Sequence, residues 1–425
     1  MQSLVINKHK GHCSMPHEKL PPRVVRYGGA TYGEDEIQQV NAVLADPNGM
    51  IPGARVGEFE ARVAAFMGKR HGVMVNSGSS ALMIAMRLLN LPPGSEVITP
   101  ALTFSTDVAT IYQAGYVPVF VDVGLDDYQI LADRVEEAIS DKTRAVLVPD
   151  LIGGIGDWDK LRAIADRHDL QLVHDSCDTL GGSLRGRKTA TRADISVTSF
   201  SIFHIITALG NGGMVFFDSD DLLDRALMLR AWGRSSEKYM FGTRVAESDG
   251  RFLEKLDDLD YDSLFIFEDL AYGFIPNEAG AAFGLGQMNR IDELWQARNA
   301  RFQAYYRFFA SHADKFIVPR TLPETETTWI CFPLQIRPET GWSRKALQVH
   351  LEDSGVFSRV IFSGNITRHP MLKGRDYRVH PAGLGNCDQI MEYGVMLPCH
   401  PTMSDEDQRY VEQVLEEFIT ANGNP

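Results

Sequence analysis

An α/β fold built on a mostly parallel sheet is the architecture this sequence predicts, and three observations predict it. First, short β-branched or continuously apolar runs such as "EVITP", "VPVFVDV" and "RAVLVPD" are of strand length. Second, helical patterns alternate with them over roughly 200 residues, which calls for crossover connections and a sheet covered on both faces. Third, small-residue turns such as "NSGSSA" sit between a strand and the helix that follows it. A chain of 425 residues, 44% of them hydrophobic, is long enough for two or three domains and a large core.

The elements follow in order. Residues 1–30 are polar and proline-containing and read as an N-terminal arm. "GEDEIQQVNAVLAD" and "GEFEARVAAFMG" repeat apolar residues at three- and four-residue spacing, so each is a helix. "HGVMVNSGSSALMIAMRLL" is strand, turn and helix, and "EVITPALTFSTDVATIYQAG" repeats that plan. Helix "DWDKLRAIADRHD" and strands "LQLVHDSCD" and "ISVTSFS" continue it. "GLGQMNRIDELWQARNARFQAYYRFFA" is expected to form one long helix leading into a smaller α/β domain. The expected domains are thus a large one over 31–299 and a small one over 300–425.

The 42 Lys and Arg against 56 Asp and Glu leave a net charge of −14, which argues against a general nucleic-acid binder. Cys13, Cys177, Cys331, Cys387 and Cys399 are widely spaced with no CxxC pair, so free thiols in a reducing compartment are expected. The first twenty residues hold no apolar core of signal-peptide length, and no run of ~18 apolar residues occurs. The reading is a cytosolic protein without membrane contact.

Parallel sheets bind ligands at the carboxyl ends of their strands, and the chemically interesting residues fall there. Small residues at Asn76–Ala81 let backbone N–H groups point at an anion, with Ser79 and Ser80 adding hydroxyls, although the same segment would serve as an ordinary N-cap turn. Asp175 and Asp178 in "VHDSCD" end a buried strand, where a carboxylate needs a cationic partner such as a protonated heteroaromatic nitrogen; a helix cap fits equally well. Phe104 follows a strand end and is placed to cover a flat ligand, though a core Phe is commoner. Together the three suit pyridoxal phosphate: its phosphate, its ring nitrogen and its ring face.

The order and wording of "NSGSSAL", "EVITPALTFSTDVATIYQAGYVPVFVDV", "LQLVHDSCDTLGG" and "TSFSIFHIITALGNGGMV" resemble the DegT/DnrJ/EryC1/StrS family, a branch of the fold type I pyridoxal-phosphate enzymes. The resemblance runs from about Gly33 to about Ile419. It implies that Gly78, Ser79 and Ser199 hold the cofactor phosphate, that Asp175 pairs with the pyridine nitrogen, that Asp178 lies near the cofactor hydroxyl and that Phe104 stacks on the ring. It also implies a homodimer with shared active sites.

Most of the family reads SFxxxKxxT, with the lysine that links covalently to the cofactor. This chain has His204 there, in Ser199-Phe200-Ser201-Ile202-Phe203-His204-Ile205-Ile206-Thr207. An imidazole cannot form that link but moves protons near neutral pH. Lys188, the nearest lysine in sequence, lies in an expected turn and is a poor substitute. The same exchange marks the sugar 3-dehydrases of the family, of which one kind carries an iron–sulfur cluster on four cysteines and another regenerates its amine from glutamate. Cys177 matches one cluster position, but "RAWGRSSEKYMFGTRVAESDG", where the other three are expected, holds no cysteine, so no cluster is expected.

Further departures are Asn211 where the family has Glu, and Gly273 where an asparagine reaching the partner subunit's phosphate is expected; Asn277 is the candidate to replace it. Arg359, Asn365, Arg368 and His369 in "SRVIFSGNITRHP" are candidate contacts to a nucleotide diphosphate. The resemblance therefore implies a 3-dehydratase that binds pyridoxal or pyridoxamine phosphate non-covalently, with a nucleotide-linked 4-keto-6-deoxyhexose as substrate, glutamate as amino donor and His204 as base. An aminotransferase using another lysine, a dehydrase coupled to a reductase, and a non-enzymatic cofactor sensor stay open as alternatives.

Overall fold

A computed structural model describes residues 23–50, 53–244 and 255–423. Residues 1–22 of the expected N-terminal arm, Cys13 among them, therefore lie outside the described residues.

The strands of the large sheet are β1 (His71–Val75), β2 (Glu96–Pro100), β3 (Val117–Val121), β4 (Thr143–Pro149), β5 (Gln171–Asp175), β6 (Ile195–Ser199) and β7 (Gly213–Phe217). They lie side by side as β1-β7-β6-β5-β4-β2-β3. Only β7 runs against its neighbours β1 and β6; the other pairings within this set are parallel. The central strands are apolar along their length because both faces are covered. Helices α1 (Glu34–Ala45), α2 (Ala54–Met67), α3 (Gly78–Leu88), α4 (Ser105–Gln113) and α5 (Trp158–Arg167) match the segments whose spacing predicts them, and α6 (Asp220–Arg230) follows β7 as a further helix.

The expected single helix before the small domain is two. Helix α7 (Glu278–Asn289) stops at Arg290, whose φ of −122° and ψ of 23° leave the helical region, and α8 (Ile291–Ala310) begins there. Arg290 turns its guanidinium to Glu293 and Glu36, so the corner holds a cation between carboxylates from two helices. Apolar spacing continues across the break, which is why the pattern alone reads as one element.

Beyond α8 a four-stranded antiparallel sheet forms from β8 (Phe316–Ile317), β9 (Cys331–Ile336), β10 (Arg359–Val360) and β12 (Gly394–Pro398), in the order β8-β9-β12-β10. Strand β11 (Arg378–Val379) instead returns to the large sheet and pairs in parallel with β3. There Arg378 grips the Glu96 carboxylate at 2.7 and 2.6 Å, and this bond holds Glu96 down to about 2. One apolar cluster runs from Ala101 and Phe120 through Phe302 and Phe332 to Phe418, so the two sheets share a core. No helix among the described residues is long and apolar enough to cross a membrane.

Candidate active site

The carboxyl ends of β5 and β6, the start of α3 and the turn between β6 and β7 converge on one place. The phosphate cradle is built by packing. Ser77 caps α3, accepting from the Ser80 N–H at 3.1 Å, and Gly78 opens the helix directly against Ser199. A Cβ on Gly78 would stand 2.6 Å from the Ser199 Cβ and 3.4 Å from the Cys177 Sγ, so only glycine lets β6 and the helix N-terminus come this close. Ser79 is exposed beside it. Free N–H groups, a helix dipole and two hydroxyls make an anion site of this kind.

Asp175 ends β5 and accepts from the Cys177 N–H at 2.8 Å. Asp178 accepts from the Ile152 N–H at 2.8 Å, and its other oxygen lies 3.6 Å from His204 Nε2. Burial, helped by the charge of Asp175, pushes Asp178 up to about 7. His204 sits in a turn closed by the Phe200 N–H to Gly212 carbonyl bond and by Thr207, whose hydroxyl donates to the Phe200 carbonyl. Burial first, then the positive charge of Arg298, lowers His204 to about 4, so the ring is neutral at neutral pH. Its Nδ1 is buried without a hydrogen-bond partner. Phe104, 54% exposed, stands at the start of α4 with its ring edge-on to Phe362.

The remaining sequence candidates are placed less uniformly. Asn277 caps α7, its Oδ1 accepting from the Gly280 N–H at 2.6 Å. Gly273 lies under the Trp232 indole, where a Cβ would meet Nε1 at 2.9 Å, so the residue that stands in place of asparagine also makes room for this ring. Asn365 is buried and spends its amide on Asp388 and Thr367. Arg368 is exposed and pairs with the same Asp388. The His369 ring bonds the Ser363 carbonyl, and Ser363 in turn accepts from the Thr103 N–H, which sets this loop beside Phe104. Arg359 stacks over the Tyr27 ring at 5.3 Å, and Tyr27 packs near Phe203.

Three residues not singled out from sequence also belong to this region. Arg298 is buried on α8 and donates to the carbonyls of His204 at 2.7 Å and Cys399 at 3.2 Å. Its signal was a cation on the apolar stripe Leu294, Phe302, Tyr305. Tyr27 lies near Asp178 and Cys331, and no pattern marked it. Asp107, in the first turn of α4, is 1% exposed and reads in sequence as an ordinary acidic helix start. As for lysines, Lys188 bonds the Gly181 carbonyl and lies over the Phe66 ring, and Lys69 pairs with Asp218.

Glycine cradle, strand-end carboxylates and exposed aromatic ring fit the phosphate, the ring nitrogen and the ring face of pyridoxal phosphate. Fold and site together define the class as the fold type I enzymes that use this cofactor. More narrowly, the chain belongs to the DegT/DnrJ/EryC1/StrS aminotransferase family, whose model matches residues 30–416. It is 33% identical to the dTDP-4-dehydro-2,6-dideoxy-D-glucose 3-dehydratase of Saccharopolyspora spinosa over 406 residues, covering 93% of this chain and 86% of that one. It is 32% identical to the lipopolysaccharide biosynthesis protein RfbH of Salmonella typhimurium over 410 residues, covering 94% and 92%. Among solved structures, the Escherichia coli GDP-4-keto-6-deoxy-D-mannose-3-dehydratase with bound hydrated PLP superposes with a TM-score of 0.83 at 25% identity, covering 92% of this chain and all of that one.

Proposed function

We propose that the chain is a pyridoxal-phosphate-dependent 3-dehydratase acting on a nucleotide-linked 4-keto-6-deoxyhexose, with His204 as the proton-moving group. One observation carries this reading. The turn that bears the covalent lysine in most of the family holds here a neutral imidazole, 3.6 Å from a buried carboxyl. The 3-dehydratases among the similar proteins support it.

When bound in its amine form, the cofactor supplies an amine for the sugar ketone and a ring that accepts electrons. The chain's residues do the rest. Gly78, Ser79 and Ser199 hold the phosphate. Asp175 faces the pyridine nitrogen and keeps a proton there. Phe104 covers the ring and excludes water. His204 takes a proton at Nε2, and its low basicity lets it return that proton to the departing 3-hydroxyl. Arg359, Arg368 and His369 rim the entrance as contacts for the diphosphate. Asn365, turned to Asp388, supports that loop from beneath.

Glutamate is the amino donor in this reading, and no lysine holds the cofactor covalently. A homodimer completes the site. Isolated bridges Ala231–Gly273 and Arg234–Phe267 tie segments 231–241 and 265–273 together, and these leave Trp232, Met240, Phe241, Phe265, Phe267 and Leu270 exposed, a surface suited to a second copy. In this assembly Asn277, at the head of α7, turns its amide to the partner's phosphate.

The test is direct. Purified protein given pyridoxal phosphate, reduced with borohydride and denatured should keep its unmodified mass. It should also convert the bound cofactor to the amine with glutamate, and dehydrate a nucleotide 4-keto sugar. His204→Asn should bind cofactor normally and lose about 10²–10⁴ in dehydration rate. A covalent adduct would return the chain to the aminotransferases.

A further inference from the structure

Asp107 lies in the site region with no role given to it so far, and its position is unusual for a carboxyl group. It is 1% exposed, on the first turn of α4. Its Oδ2 accepts from the Thr103 hydroxyl at 2.5 Å, while its Oδ1 is buried with no hydrogen-bond partner. The titratable groups facing it are the carboxyls of Asp175 and Asp178 at the end of β5 and the Cys177 thiol between them. Burial, then the charge of Asp175, raises Asp107 well above the ordinary 3.8. Two carboxyl groups against each other in a buried site cannot both be ionised, so one keeps a proton. Asp107, the more deeply buried, keeps it. Asp175 already accepts the Cys177 N–H through Oδ1, which leaves its second oxygen for a further donor.

We propose that Asp107 is the positioning residue of Asp175: its carboxyl donates from Oδ1 to the Asp175 carboxylate and fixes the edge that Asp175 turns to the pyridine nitrogen. This rests on the reading of Asp175 as the partner of that nitrogen. Thr103 holds the other oxygen of Asp107, so the α4 start, through Thr103 and Asp107, sets the orientation of a strand-end carboxylate on β5. An amide can replace the protonated carboxyl in this role. A hydrocarbon of the same shape cannot.

The experiment compares Asp107→Asn and Asp107→Leu with the unaltered chain. Pyridoxal phosphate binding to apo-protein is followed by fluorescence quenching, and apo-protein melting is followed from pH 5 to pH 8. Asp107→Asn should bind within about threefold of the unaltered chain, and Asp107→Leu at least tenfold more weakly, the scale of one charge-assisted hydrogen bond. A group with a raised folded pKa stabilises the fold at low pH and loses that contribution as pH rises. The melting temperature of Asp107→Asn, measured against the unaltered chain, should therefore climb between pH 5 and pH 8.

Equal binding by Asp107→Leu, or an Asn variant as weak as the Leu variant, overturns the proposal. So does a melting difference that stays flat with pH. Failure of the unaltered chain to bind pyridoxal phosphate overturns the cofactor reading instead, and the melting difference alone then decides the carboxyl pair.

Discussion

Asp178→Asn should make the cofactor-free protein more stable, by a margin that opens above about pH 4 and is complete by about pH 8. In the folded chain burial pushes Asp178 up to about 7, against 3.8 when exposed. A raised folded pKa means that the folded state binds a proton the unfolded state has released. Asp178 therefore stabilises the fold relative to its ionised state below about pH 4, and that contribution drains away up to about pH 7. At 1.36 kcal/mol for each tenfold change, the full span is worth about 4 kcal/mol, and the coupling to Asp175 makes ~2–4 kcal/mol the range to expect. Asparagine keeps an oxygen for the Ile152 N–H and carries no charge. Its neighbour His204 does not blur the comparison at pH 8, where the imidazole is neutral in both proteins. Urea unfolding of the apo-protein should show near-equal stability at pH 4 and a variant ahead by ~2–4 kcal/mol at pH 8. A gap of the same size at both pH values, or a variant weaker at pH 8, would falsify the assignment of that buried charge.

Gly78→Ala should fold with a strained helix start, because the new Cβ lies 2.6 Å from that of Ser199; phosphate-group affinity measured by cofactor titration should fall at least about tenfold. Arg298→Met removes the cation that depresses His204 and strips two buried carbonyls of their donor; the His204 resonance should titrate at higher pH by NMR, with stability down by ~2–4 kcal/mol. Arg378→Met releases Glu96. A lowered carboxyl stabilises the fold above about pH 4.5 and stops doing so as pH falls to 2, so the variant should lose ~1–2 kcal/mol at pH 7, discounted for the partly exposed arginine, and match the unaltered chain near pH 2.

The strands of the large sheet from β1 to β7 and most helices packed on them were legible because each rests on a local pattern: β-branched runs for β2 to β4, three- and four-residue apolar spacing for α1 and α2. The break at Arg290 was not, since periodicity survives a corner that only the Glu36 and Glu293 carboxylates reveal. The return of β11 to the large sheet was equally hidden, because two residues carry no period. At the site, Gly78, Ser199, Asp175, Asp178 and His204 converge as the motif order implied. Asn365 shows the limit of that reading: a polar residue in a loop says nothing about which way its amide turns, and here it turns inward. Asp107 and Arg298 escaped notice for the opposite reason. Each looks ordinary on its own helix, and its meaning comes from groups that are distant in sequence.

Replacing an amine by an imidazole does not by itself give a proton carrier, since an exposed histidine near 6.5 would be partly charged at neutral pH and paired with the nearest carboxylate. Two features prevent that here. Arg298 places a positive charge behind the His204 turn, and the site is dry enough that the carboxyl, not the imidazole, keeps the proton; the two stand at about 7 and about 4. Environments that push neighbouring groups apart in this way are what the role proposed for His204 requires. It follows that the amine of His204→Lys would enter a pocket that disfavours cations, next to Arg298, and would be held neutral, the form that links to the cofactor aldehyde. Mass measurement after borohydride should then find an adduct at neutral pH. An adduct that forms only well above neutral pH would show that the Arg298 charge does not reach the reacting position.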